Sequence, residues 1–419
     1  MKTKRYIPPK LLNTSKFRQQ IVMLLCVVIV ICALATPKPV YCATTTLAEV
    51  SEELNNSVVK ELDEIDFSSF NGLVEEFEQN SSNIFTIKSV KSKVYSIITG
   101  ENAVNYSSMF TSVLALIGGS ALKYMPLLAI IVAIGVVGNL LSGFKSKFNE
   151  KSSSSLIQLV CFMAVSVLVV TMIKTLVSTS TAAVQNMSKQ MNATFPILLT
   201  LMIGLGATAS VSTFQPVVSI MSTYIADFFS FFIVPMFTLS FVFSIISNLT
   251  DTVKLDKFNS FISGFFKWSV GLIFTIFFAV FTLQGITAGK FDSLGIRTTK
   301  FTIKSSVPVM GGYLSDGMDI ILSSTMLIKN AVGFVGVLLC LSTIISPIIQ
   351  IALFSLMLKL VAAILQAMGE AKTSSFLTGV SKSITMLSTA IIAVGFMYLL
   401  SVGLIMTTAN VVVWWKDMC

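Results

Sequence analysis

The sequence predicts an all-α polytopic integral membrane protein, built as about three repeats of roughly 110 residues. Each repeat holds a short apolar helix, a Pro break and a helical hairpin. Three observations predict this. Of 419 residues, 54% are hydrophobic and 12% charged, where soluble domains carry about 25% charged residues. Long apolar runs alternate with short basic loops. Short phrases recur in register: SFISGFFK at 260–267 returns as SFLTGVSK at 375–382.

The chain opens with Lys2, Lys4, Arg5, Lys10, Lys16 and Arg18, then a 14-residue apolar run from Ile21 to Leu34. Pro37 and Pro39 end the run before VYCA. Basic, apolar, then small residues read as a signal peptide over residues 1–43, cleaved near Cys42 and Ala43. The competing reading is an uncleaved anchor, but the run is short for a span of about 20 residues.

Residues 44–105 carry eleven acids and four lysines, so the net charge of +9 resides elsewhere. They read as an exported, acidic helical segment. Leu47, Val50, Leu54, Val58, Leu62 and Ile65 make one apolar stripe at helical spacing, and Ile87, Val90, Val94 and Ile97 a second. The second either lies on the membrane surface or packs on the rest of the protein.

The membrane part divides into repeats at 106–190, 191–300 and 301–419. Pro196 and Pro308 stand 112 residues apart, as do Pro235 and Pro347. Pro126 begins a more diverged copy, in which KFN at 147–149 answers KFN at 257–259. Chance likeness between apolar helices explains Leu and Ile well and the spacing of Pro, Asn and Gly poorly. An apolar stretch (107–122, 217–234 or 330–346) precedes Pro126, Pro235 or Pro347. Because Pro lacks a backbone donor and starts helices readily, these three are expected helix breaks. The pre-Pro helix is either re-entrant or completes a third crossing. The spans that follow are 126–142, 235–249 and 347–367. After a basic loop, the closing spans are 155–177, 263–286 and 383–408.

Two crossings per unit put all three basic loops in the cytoplasm, as positive-inside bias requires, and residues 44–105 outside. Three crossings would invert neighbouring units. Loop 287–329, with five bases and three acids, argues against the parallel arrangement. Six spans in parallel units remain the expectation. Gly264 and Gly379 are expected to let helices pack closely, with Lys267 and Lys382 at the cytoplasmic edge.

A charge at the bilayer centre costs about 2.5–3.5 kcal/mol on insertion scales, so ionisable residues in apolar runs are functional candidates. Lys174, Lys267 and Lys329 lie near span ends, where a long side chain reaches the interface. Asp227, in STYIADFFSFF, is too short for that. It serves either a polar pair in a pore or a helix end. The stretch 289–319 is the longest polar break. Gly311, Gly312, Asp316 and Asp319 there are candidates for an outer vestibule, since irregular backbone at membrane depth is tolerated where it lines a cavity. An ordinary loop is the competing reading.

Catalysis finds no support. The chain has no His, no GxxxxGK[ST] and no GxSxG, which removes phosphate-loop ATP hydrolysis, zinc-protease and Ser-His chemistry. The six cysteines show no CxxC spacing. No enzyme activity, cofactor, metal or nucleic-acid partner is expected.

The signal, the acidic segment and GITAGKFDSLGIRTTKFTIKSSVPVMGGYLSDGMDIILSST at 285–325, with the apolar pair that follows, resemble the stage III sporulation protein AE family over nearly the whole chain. The resemblance implies a multi-pass protein of the mother-cell membrane around the forespore, with residues 44–105 in the intermembrane space. It implies membership of the channel complex joining mother cell to forespore, a feeding-tube or secretion-like assembly needed for forespore development. The implied partners are the other stage III A-cluster proteins, an ATPase-like member among them, and the forespore stage II protein Q, besides the lipid bilayer and further copies of the chain. A stand-alone secondary transporter and a non-conducting scaffold are the alternatives.

Overall fold

A computed structural model describes residues 47–80, 89–99, 106–146, 151–249, 255–306 and 311–408. By internal contacts the chain separates into residues 1–51 and 52–419, and the first unit is described only as the opening turn of a helix. The expected signal peptide, with Cys42 and Ala43, lies outside the described residues.

The described residues are helix and turn, with no strand among them. Three short helices come first: α1 (Leu47–Glu64), α2 (Ser68–Asn80) and α3 (Val90–Thr99). The predicted stripes point inward. Val58, Leu62, Val90 and Val94 are buried, with Phe67, Phe70 and Val74 of α2 in the same core. Asp66 starts α2 by accepting the Ser68 N–H at 2.8 Å. The Ser68 hydroxyl, and after it that backbone bond, hold its carboxyl below the ordinary aspartate range. Asn71 Oδ1 accepts the Val90 N–H at 3.1 Å and starts α3, and Lys91 pairs with Asp63. Of the two sequence readings for the second stripe, the structure has the one in which α3 packs on the rest of the protein, against the α9 helix (Gly311–Ala367).

The membrane part is three successive helix pairs. α4 (Tyr106–Ser146) and α5 (Lys151–Gly204) form the first. The second is α6 (Thr208–Phe228), a π-turn at Phe229–Ile233, α7 (Val234–Leu249) and α8 (Asp256–Ser306). The third is α9 with α10 (Ala371–Thr408). Among the described residues, six stretches are long and apolar enough to cross a membrane: Phe110–Leu141, Leu156–Gly204, Thr208–Leu249, Lys257–Gln284, Gly317–Ala367 and Ala371–Thr408. Within hydrocarbon, a helix is the one open-chain form that satisfies its own backbone, so near-uniform apolarity writes helix here. Half of the α10 span is buried inside the protein, the largest share of the six. α10 packs on α5, α7, α8 and α9 and is the axis of the bundle.

Two expectations are corrected. Pro126 and Pro347 sit inside uninterrupted helices. A proline costs one backbone bond and a clash with the carbonyl four residues back, and neighbouring helices in a bundle restrain the rest. Pro235 differs: the π-turn ends just before it, with the Val234 N–H reaching back to Phe229 O. The wider turn relieves the clash that the proline ring would make with the Phe231 carbonyl. The polar break at 289–319 is also not an extended loop. α8 runs to Ser306 and α9 begins at Gly311. The 57-residue α9 is about 85 Å long at 1.5 Å per residue, against a hydrocarbon core of about 30 Å. Polar sequence continues the helices outside the bilayer.

Candidate functional site: a polar seam through the bundle

Polar side chains at membrane depth must find partners inside the protein. Along the contact of α5, α9 and α10 they do so at successive levels. Lys329 is fully buried and donates to the Met406 carbonyl at 2.9 Å. Next, the Thr194 and Tyr398 hydroxyls meet at 3.1 Å, with the Tyr398 ring edge-on to Phe195. Gly336 permits this, because a Cβ there would lie 2.9 Å from Thr194 Cγ2 and 3.2 Å from Tyr398 Oη. Then Gln190 Nε2 donates to Thr343 Oγ1 at 2.7 Å. Further along, the Ser355 and Ser381 hydroxyls meet at 2.8 Å, and Ser374 donates to the Ala362 carbonyl at 2.7 Å. Gln190 Oε1, Asn330 Oδ1 and Ser342 Oγ are buried with no hydrogen-bond partner among the described residues.

The seam ends on the N-terminal helix α1 at one side. Glu61 of α1 accepts Ser324 Oγ at 2.6 Å and Thr325 Oγ1 at 3.0 Å, one turn above Lys329 on α9. At the other side it ends at the α9–α10 turn. Gly369 there has φ +94°, a left-handed conformation that side chains resist. Asn139 of α4 donates to the Met368 carbonyl at 2.6 Å. Glu370 is 6% exposed, and its Oε1 has no hydrogen-bond partner among the described residues. Burial pushes its carboxyl above the ordinary glutamate range. The folded chain therefore holds that proton more tightly than the unfolded chain. Stability is greatest in acid and falls as pH rises from the ordinary glutamate value to the raised one. Glu370→Gln is expected to flatten this fall and to match or exceed the parent's stability at neutral pH. Thermal unfolding of the solubilised chain across that range checks it.

A second polar cluster joins α7, α8 and α10. Ser240 hydrogen-bonds to Asn259 and meets the Ser383 hydroxyl at 2.8 Å. One turn away, a Cβ at Gly379 would lie 2.5 Å from Ser244 Oγ. Small residues four apart on both helices, Ser240 and Ser244 against Gly379 and Ser383, let the backbones approach as membrane helices commonly do. A third cluster lies within the second helix pair and ties the start of α6 to α8. Asp292 of α8 is buried and accepts the N–H groups of Ala209 and Ser210, at 2.9 and 3.1 Å, and the Ser210 hydroxyl.

The predicted site residues scatter. Asp227 is exposed near the end of α6, outside the seam. Gly311, Gly312 and Asp316 lie in the first turns of α9, where side chains fall outside the described set; Asp319 follows, half-buried. Gly379 packs against Ser244, whereas no described atom lies within 4 Å of a Cβ built on Gly264. Lys267 and Lys382 are exposed. Lys329, read from sequence as reaching the interface, is instead buried in the seam. Sequence reasoning missed Glu61, Gln190, Asp292, Glu370 and Tyr398. The partners of Glu61, Gln190, Asp292 and Tyr398 are far away in sequence, and the burial of Glu370 comes from the fold, so no local spacing signals them.

A profile of the family described as stage III sporulation protein AE matches residues 88–409. Stage III sporulation protein AE of Bacillus subtilis (strain 168) is 25% identical over 329 residues, covering 78% of this chain and 82% of that protein. No solved structure matches the chain. With the family profile covering all six candidate spans and the seam between them, the chain belongs to the stage III sporulation protein AE family.

Proposed function

We propose that the chain is a membrane component of the channel joining mother cell and forespore during endospore formation. In this reading it sits in the mother-cell membrane around the forespore. Its partners there are the other stage III A-cluster proteins and the forespore stage II protein Q. Family membership supports the sporulation role. The observation that carries the membrane role is the buried polar seam linking Glu61 to the α9–α10 turn through six-span architecture. Buried acceptors such as Gln190 Oε1 and Asn330 Oδ1 are costly to leave without donors, which favours a path for polar groups over an inert anchor. The seam is packed in the single chain, its glycines bringing helices into contact. That packing favours a path that opens through rearrangement or assembly.

In the same reading the three helix pairs are the three repeats, placed in parallel. Ser260 lies four residues after Asp256, where α8 starts, and Ser375 four after Ala371, where α10 starts. The echoed phrases thus hold equivalent places. The exported helices pack on the early part of α9, away from the 368–370 turn, as parallel pairs with cytoplasmic turns require.

Deletion of the chain tests the role. Spore counts and a late forespore reporter should collapse, and full recovery with the parent chain should follow. Normal sporulation without it would refute the reading. The transporter alternative depends on Asp227. Asp227→Asn is expected to support full sporulation, because the carboxyl lies outside the seam; spore counts reduced to the deletion level would favour proton coupling there.

A further inference from the structure

A groove of about 350 Å³ lies between α6, α8 and α10. Its floor is Ala390 and Ala393, and its walls include Ile220, Tyr224, Val270 and Phe277. The small floor residues leave space beside α10, and Ile233 of the π-turn closes one edge. Ile220 and Tyr224 are 60% and 61% exposed, so the groove opens sideways from the bundle, at the level of the candidate spans. A groove with apolar walls does not hold water, and an empty one forfeits dispersion contacts along its lining. At this depth the surrounding medium is lipid tail.

One end carries the chemistry of a headgroup site. Lys267 lies one turn before Val270 on α8 and is exposed, beside Trp268, which is 62% exposed and stacked on Phe265. Residues three apart share a helix face, and Lys and Trp together mark a membrane interface. From Lys267 to Phe277 the helix rises about 15 Å, half of the roughly 30 Å hydrocarbon core and therefore the reach of one leaflet's acyl chain. We propose that an anionic phospholipid seats one acyl chain in this groove, with its phosphate at Lys267. The site stands apart from the polar seam and does not depend on the channel role.

The test reconstitutes the full chain in phosphatidylethanolamine liposomes. These contain a phosphatidylglycerol probe with a photoactivatable group midway along one acyl chain. After irradiation, adducts should concentrate on peptides 217–228 and 390–397. Ala393→Trp, which fills the floor, should abolish those adducts while leaving labelling of the outer face of α4 unchanged. Lys267→Gln, an exposed change that spares the fold, should lower groove labelling by phosphatidylglycerol relative to a phosphatidylcholine probe by about fivefold, the worth of one lysine at an anionic surface. Even labelling of both faces, or groove adducts indifferent to Ala393→Trp, would overturn the acyl-chain site. An unchanged probe ratio in Lys267→Gln would overturn the headgroup assignment. Peptide-to-peptide crosslinks from the groove between two chains would assign it to a second copy instead.

Discussion

Asp292→Ala is expected to destabilise the folded chain by about 3 kcal/mol or more. α6 begins at Thr208, after a tight junction in which Gly206 has φ +78°. The residue before the helix, Ala207, offers no side-chain cap, so the first N–H groups of α6 need an acceptor from elsewhere. Asp292 supplies it from 82 residues away, taking two backbone N–H groups and one hydroxyl. A carboxylate there also meets the positive end of the helix dipole. Hydrogen bonds to a charged group contribute about 1.5–3 kcal/mol each, and buried donors left without partners cost more. Asp292→Asn keeps one acceptor and the side-chain size, so its loss should be about half as large. Unfolding midpoints of the detergent-solubilised chain should rank parent, then Asn, then Ala. An Ala variant with the parent's midpoint would remove Asp292 from the junction.

Gly379→Leu should separate α7 from α10. Even the first added carbon would lie 2.5 Å from Ser244 Oγ, and the branched end of Leu meets the same wall. Overpacking of this kind costs about 1–3 kcal/mol where side chains can shift. Here the hydroxyl next to it, Ser240, is already committed to Ser383 and Asn259, so the upper end of that range applies. Gly379→Ala combined with Ser244→Gly should recover most of what Gly379→Ala loses alone, since the two residues are in contact and couple. Additive losses in the double variant would show that the approach at Gly379 is not what holds α7 to α10.

These two sites mark how far the sequence could be read. Six spans were legible because uniform apolarity over about 20 residues has one structural solution in hydrocarbon. The inward stripes of α1 and α3 were legible because their period is local. Gly379 was legible through the echoed phrase, although its counterpart Gly264 faces open space. Asp292 was not. It sits in GKFDSLGIRTTKFTIKSS, whose polarity is equally suited to a loop and to helix outside the bilayer. Its partners lie on another helix, 82 and 83 residues away in sequence. Lys329 was misread for a related reason: sequence places it near a span end but cannot show that α10 covers it. Pro126 and Pro347 were read as breaks because the proline rule is local, whereas helix continuity in a bundle is set by neighbours.

In the proposed arrangement three helix pairs cross the membrane in parallel, with the exported helices over one end of the polar seam and the connections within each pair in the cytoplasm. The connection between α7 and α8 tests it most directly. With the native cysteines replaced, Thr252→Cys should resist a membrane-impermeant maleimide in intact protoplasts and react only after lysis. Labelling of that cysteine in intact protoplasts would place the middle turn outside and contradict the parallel arrangement.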